Sequence, residues 1–189
     1  SDPHDRDSMI YADGAGAAIM EARESETPIG ILGHNSRSDA LDYAKMLYMG
    51  YSYEPGLAKK KVHFLKMNGR RLYQYALSNV PNAIKAGLDK LNLNITDISK
   101  VLIHQANGKM DDAILKRLFE LYNINEVPEY IMPMTISWLG NSSVATVPTL
   151  LDMIIRDTMD DHQLESGDII VLASVGAGMN INNVVYKLP

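Results

Sequence analysis

The stretch from Val101 to Tyr122 changes its hydrophobic period within a few residues, and that change restricts the fold more than any other feature of the chain. Val101–Ile103 is a short apolar run without polar alternation, the pattern of a strand buried on both faces. It leads into Met110, Ile114, Leu118 and Leu121, spaced i, i+4, i+8 and i+11, one apolar face of a helix from about Gly108 to Tyr122. A strand that needs cover on both sides, next to a helix with one dry face, predicts a layered α/β unit.

The remaining segments extend that unit. After Asn68 as N-cap, Leu72, Tyr75, Ala76, Asn79, Ala83, Ala86 and Leu91 fall near helical spacing, with Pro81 expected to kink or split the helix. A Pro-punctuated connection, VPEYIMPMTISWLG, precedes a further helix from Asn141 to about Met159 that carries Pro148 inside it. Gly167-Asp168 then launches IIVLASV, a Gly-Ala-Gly turn and NINNVVYKL, a closing hairpin. At the other end, MIYAD and AAIMEAR flank a Gly-rich turn and read as a first hairpin. Gly33–Lys61 shows no sustained period and is expected to be loop, with one helical turn near Ala40–Tyr48. The expectation is one domain over residues 1–189, with a mixed five-stranded sheet packed with helices.

Composition narrows the chemistry. The chain has no cysteine, which excludes disulfides, thiolate metal sites and any sulfur nucleophile of its own. At 46% hydrophobic and 22% charged residues it can bury an ordinary core without a staple. A formal charge of −5 gives no basic excess for nucleic acid. No apolar run is long enough for a membrane span and SDPHDRDSMIY has no signal-peptide pattern, so a cytoplasmic protein is expected. His4, His34, His63, His104 and His162 show no ligand spacing, and no metal site is expected.

Asp13-Gly14-Ala15-Gly16-Ala17 and Gly176-Ala177-Gly178 invite a phosphate-loop reading, but the third Gly of that fingerprint is replaced by Ile19 and Ile181, and tight turns explain both. His104-Gln105-Ala106-Asn107 follows directly on the buried strand, and Gly140-Asn141-Ser142-Ser143 opens a helix. Each polar side chain sits at the mouth of a regular element, where ligand sites of α/β sheets gather. An imidazole N–H and an amide N–H converging there would stabilise charge on one oxygen.

DGAGAA, MNGRRLYQYA, VLIHQAN, GNSSVATVP and GDIIVLASVGAG, in that order, resemble the C-terminal half of 3-oxoacyl-(acyl-carrier-protein) synthase III, a condensing enzyme of the thiolase superfamily. The pair HQAN and GNSS, with Asn141 lying 37 residues after His104, is its most specific signature. The resemblance implies a thiolase-like half-domain that lacks the N-terminal half carrying the nucleophilic Cys. It implies His104 and Asn141 as catalytic residues that donate hydrogen bonds to the malonyl thioester oxygen as CO₂ leaves, and a backbone oxyanion hole at Gly176 and Ala177. Asn107 and Arg70 would touch the pantetheine arm, and Lys109, Lys116 and Arg117 would dock the acidic carrier protein.

The substrates implied are CoA and phosphopantetheine thioesters, with no covalently bound cofactor. The partners implied are acyl-CoA, an acyl carrier protein and a second copy of the parent enzyme. By itself the chain is expected to be inactive in condensation. Val175 stands where the family has Phe, which bears on primer preference. Two other readings stay open: an aryl, polyketide or acyl-transfer relative, and a non-catalytic module that only pairs with another subunit or a carrier protein.

Overall fold

The computed structural model describes residues 1–189. Its elements run β1 (Gly30–Ser38), α1 (Ala40–Tyr43), β2 (Leu47–Tyr51), α2 (Pro55–Ala58), β3 (His63–Met67), α3 (Gly69–Asp89), β4 (Lys100–Ile103), α4 (Gly108–Glu120), α5 (Ile136–Leu139), α6 (Thr146–Ile155), β5 (Ile169–Gly176) and β6 (Asn180–Lys187). β1, β6, β5 and β4 form one sheet in that order, and β2 pairs with β3 in a separate hairpin. β4 runs parallel to β5, while β6 is antiparallel to both β5 and β1. The sheet is thus mixed, as expected.

β4 shows why this is a three-layer unit. Val101 and Ile103 join the larger core with Ile84, Leu88, Ile114 and Leu118, so α3 and α4 cover one face. Leu102, pointing the other way, packs with Leu150, Ile154 and Met159, so α6 covers the opposite face. α3 stays one continuous helix through Pro81 and is not split. The side-chain amides of Asn79 and Asn82 bond the carbonyls of Tyr75 and Ser78 and reinforce the ladder around the missing N–H.

Three expectations need correction. The N-terminal hairpin does not form: residues 12–29 contain no strand, and Ile19 is 98% exposed because no apolar face lies over it. With those two strands lost and β1 gained, the main sheet has four strands and not five. Within the segment read as loop lie β2, α2 and most of β1. β1 carries mostly polar residues and is fixed by backbone pairing to β6, which leaves little hydrophobic signature. The helix expected from Asn141 is a 3-10 turn at Ser143–Ala145 followed by α6.

The β2–β3 hairpin is held by a buried charge. Lys66 is 1% exposed, and its Nζ donates to Asp2 at 2.6 Å and Asp5 at 3.0 Å beneath the Tyr53 ring. Asp2, fully buried, also accepts from Ser52 Oγ, and its carboxyl is held far below the usual range: burial opposes this, but Lys66, Ser52 and the amides of His4 and Tyr53 outweigh it.

Candidate active site

His104 follows the C-terminal end of β4 and its N–H donates to Ala173 O at 2.9 Å, so the parallel ladder with β5 sets its backbone. Strand alternation then sends neighbouring side chains to opposite sides. Gln105 turns inward, is fully buried, and uses both the nitrogen and the oxygen of its amide group. Its Nε2 donates to Pro133 O at 2.8 Å, and its Oε1 accepts from the N–H groups of Thr135 and Ile136 at 2.8 and 3.0 Å. That side chain ties the strand end to the segment entering α5, and so to the loop that carries Asn141.

Ser143 joins the two candidate catalytic side chains. Its N–H donates to Asn141 Oδ1 at 2.9 Å, and its carbonyl accepts from His104 Nδ1 at 3.1 Å. Ser143 has φ +56°, a left-handed conformation uncommon outside glycine, which turns its N–H and C=O to these two neighbours. The Asn141 backbone is fixed as well, by the Ile10 carbonyl and the Ala12 N–H, both at 2.9 Å.

The chemistry follows from which atoms remain free. With Oδ1 occupied, the Nδ2 protons of Asn141 carry no internal hydrogen bond. A carbonyl can only accept, so the proton of a neutral His104 ring sits on Nδ1 and Nε2 presents a lone pair. In this geometry a neutral ring donates from Nδ1 to Ser143, and it donates from Nε2 only after gaining a second proton. Burial pushes its pKa below the ordinary histidine value, opposed by the hydrogen bond to Ser143. The ring is thus neutral near pH 7.

The other expected residues distribute as follows. Gly176 and Ala177 lie at the end of β5, past the Ile103–Ala173 pair and so at the sheet edge that bears His104. The Ala177 carbonyl accepts from Asn180 Nδ2 at 2.9 Å, while its N–H has no partner. Asn107 is the N-cap of α4, its Oδ1 accepting from the N–H groups of Lys109 and Met110. Arg70 is exposed in the first turn of α3, with no hydrogen bond or ion pair to the residues above. Lys109, Lys116 and Arg117 are exposed on α4 and form no ion pairs, yet Asp112 and Glu120 share the Lys109–Lys116 face, which is mixed in charge.

Asp111, one turn into α4, was not foreseen. It is fully buried and neither carboxylate oxygen completes a hydrogen bond. Burial, with the nearby Asp112 charge, raises its pKa to about 8, although the amides of Asn107 and Ala106 pull the other way. Its place in the first turn of a helix gave no sign of this, since acidic residues there are commonplace. Gln105 could have been found from strand alternation alone; the part played by the Ser143 backbone could not.

Residues 88–188 match the family described as 3-oxoacyl-(acyl-carrier-protein) synthase III C terminal. A curated relative, the beta-ketoacyl-(acyl-carrier-protein) synthase III of Trichodesmium erythraeum, is 31% identical over 189 residues, covering 96% of this chain and 53% of the relative. The Gloeobacter violaceus protein of the same name is 32% identical over 178 residues, covering 91% and 50%. The chain spans about half the length of the curated relatives it matches. In fold it is similar to the Thermus thermophilus beta-ketoacyl-(acyl-carrier-protein) synthase III, with a TM-score of 0.70 at 24% identity, over 88% of this chain and 48% of that one.

Proposed function

The chain belongs to the 3-oxoacyl-(acyl-carrier-protein) synthase III C-terminal family, and from that premise we propose that it is the half of a condensing enzyme that activates the malonyl thioester. The observation that carries this reading is the convergence of His104 and Asn141 on Ser143, which leaves Nε2 of one and Nδ2 of the other free. The chain has no cysteine, so the thiol that receives the acyl group from acyl-CoA comes from residues outside it, and the chain alone does not condense.

The proton inventory of His104 suggests an order of events. As the thiol attacks the acyl thioester, the Nε2 lone pair takes its proton and the imidazole becomes imidazolium. Coenzyme A leaves as a thiolate that solvent protonates. The malonyl thioester then enters on its carrier protein, with its carbonyl oxygen between the Asn141 amide and the Nε2–H of the charged ring. Loss of CO₂ leaves the C–C bonding pair as an enolate, whose oxygen these two donors stabilise, each by roughly 3–4 kcal/mol in a dry site. The enolate carbon attacks the acyl-cysteine carbonyl, whose oxygen the free Ala177 N–H faces in this scheme. The tetrahedral adduct expels the cysteine thiolate, which recovers its proton from His104. Asn107 and Arg70 are assigned to the pantetheine arm, and the exposed Lys109, Lys116 and Arg117 to the carrier protein.

The test is CO₂ release from a carboxyl-labelled malonyl-carrier thioester by a protein joining this chain to a cysteine-bearing half. Asn141→Ala and His104→Ala should each lower release roughly a hundredfold or more. Release unaffected by either change contradicts the reading.

A further inference from the structure

We propose that the glycine-rich segment Asp13–Ala17 is a strap that fixes Asn141 in place, with Gly14 and Gly16 as its positioning residues. Read from sequence it is a turn, yet neither glycine has a positive φ, so backbone freedom is not what they supply. What they supply is clearance. A methyl on Gly14 would come within 2.8 Å of Ser142 Cβ and 3.0 Å of Ala145 Cβ, and one on Gly16 within 2.7 Å of Pro148 Cβ. The segment lies flat along the Ser142–Pro148 entry to α6 only because these two positions carry no side chain.

This contact decides what happens at Asn141. Tyr11 and Asn141 form an isolated parallel bridge, in which Asn141 N–H donates to Ile10 O and Asn141 O accepts from Ala12 N–H. Beyond Ala12, no backbone N–H from residue 13 to residue 28 makes a hydrogen bond, so packing of Gly14 and Gly16 is what keeps the arm over the loop. From the other side, Gly140 adopts φ +68°, and a methyl there would sit 3.0 Å from Ala12 Cβ. Together with Ser143 N–H on Oδ1 this restricts both the backbone and the carboxamide of Asn141. The strap thus holds a donor that must aim its protons before charge develops.

The strap itself does not depend on the proposed reaction; only its effect on turnover rests on that reading. Amide hydrogen exchange on the 189-residue chain tests it directly. In the native chain the amides of Ala12 and Asn141 should be protected while those of residues 17–24 exchange freely. Gly16→Val should speed exchange at both by about tenfold or more, with Leu102 and Val171 still protected as proof of an intact sheet. If that variant loses protection throughout, Gly16→Ala is scored in its place, and Gly16→Ala with Pro148→Gly should restore protection. Unchanged exchange at Ala12 and Asn141 beside a protected sheet overturns the proposal. In the protein joined to a cysteine-bearing half, Gly16→Ala should lower kcat about tenfold or more and leave KM for the malonyl thioester within about twofold. Altered exchange with unaltered kcat leaves the strap standing and overturns its effect on turnover, while the part played by Asn141 is decided by Asn141→Ala.

Discussion

Replacing Asp111 should make this chain more stable, and the gain should depend on pH. The carboxyl is fully buried, lacks any completed hydrogen bond and has its pKa raised from 3.8 to about 8. A folded pKa above the unfolded one means that the folded chain holds the proton more tightly. The contribution of the neutral acid is therefore complete below about pH 4 and is lost as pH rises toward 8. Between pH 4 and pH 7 the loss comes to roughly 4 kcal/mol, at about 1.4 kcal/mol per pH unit. Asp111→Asn keeps the shape and removes the titration, and Asp111→Leu removes the buried polar group as well. Urea unfolding followed by circular dichroism from pH 4 to 8 gives the comparison. The stability difference between Asp111→Asn and the native chain should widen with pH at about that slope, with Asp111→Leu the most stable near pH 8. A difference flat with pH would show the carboxyl to be ionised at neutral pH, and the burial argument would be wrong.

Further perturbations probe the frame around the site. Lys66→Met strands Asp2 and Asp5 as unpaired acids under Tyr53 and should cost roughly 3–5 kcal/mol in urea unfolding, together with faster proteolysis before β1. Gln105→Leu leaves the Pro133 carbonyl and the Thr135 and Ile136 amides without partners and should cost roughly 2–4 kcal/mol, with faster amide exchange at Thr135 and Ile136. The His104 ring should titrate by NMR with a midpoint below 6.5, with the proton of the neutral form on Nδ1. Because its folded pKa is depressed, its contribution is present above the ordinary histidine pKa and lost as pH falls, opposite in sign to Asp111.

Parts of the molecule were legible in the sequence because one physical term dominated them. Val101–Ile103 and the helix after it declared themselves because a doubly covered strand must be apolar throughout and a helix with one dry face must repeat. β1 stayed hidden: His34-Asn35-Ser36-Arg37-Ser38 is an edge segment placed by backbone pairing to β6, and backbone pairing has no residue code. The N-terminal arm misled in the opposite sense, since Ala17–Ala22 is a short apolar run of the kind a strand carries but has no sheet to join. At the site, His104 and Asn141 were singled out by their places just after β4 and just before the turn that enters α6. Ser143 was not, because it acts through its main-chain N–H and C=O. Lys66 was equally hidden, its partners Asp2 and Asp5 lying more than sixty residues away.

The proposed reaction requires one oxygen to sit between His104 and Asn141. A crystal structure of this chain joined to a cysteine-bearing half, with a non-hydrolysable malonyl-pantetheine analogue bound, measures it. The analogue's carbonyl oxygen should lie at roughly 3 Å from both His104 Nε2 and Asn141 Nδ2. An analogue bound with that oxygen on neither nitrogen, or on Asn141 alone while the His104 ring turns away, would contradict it.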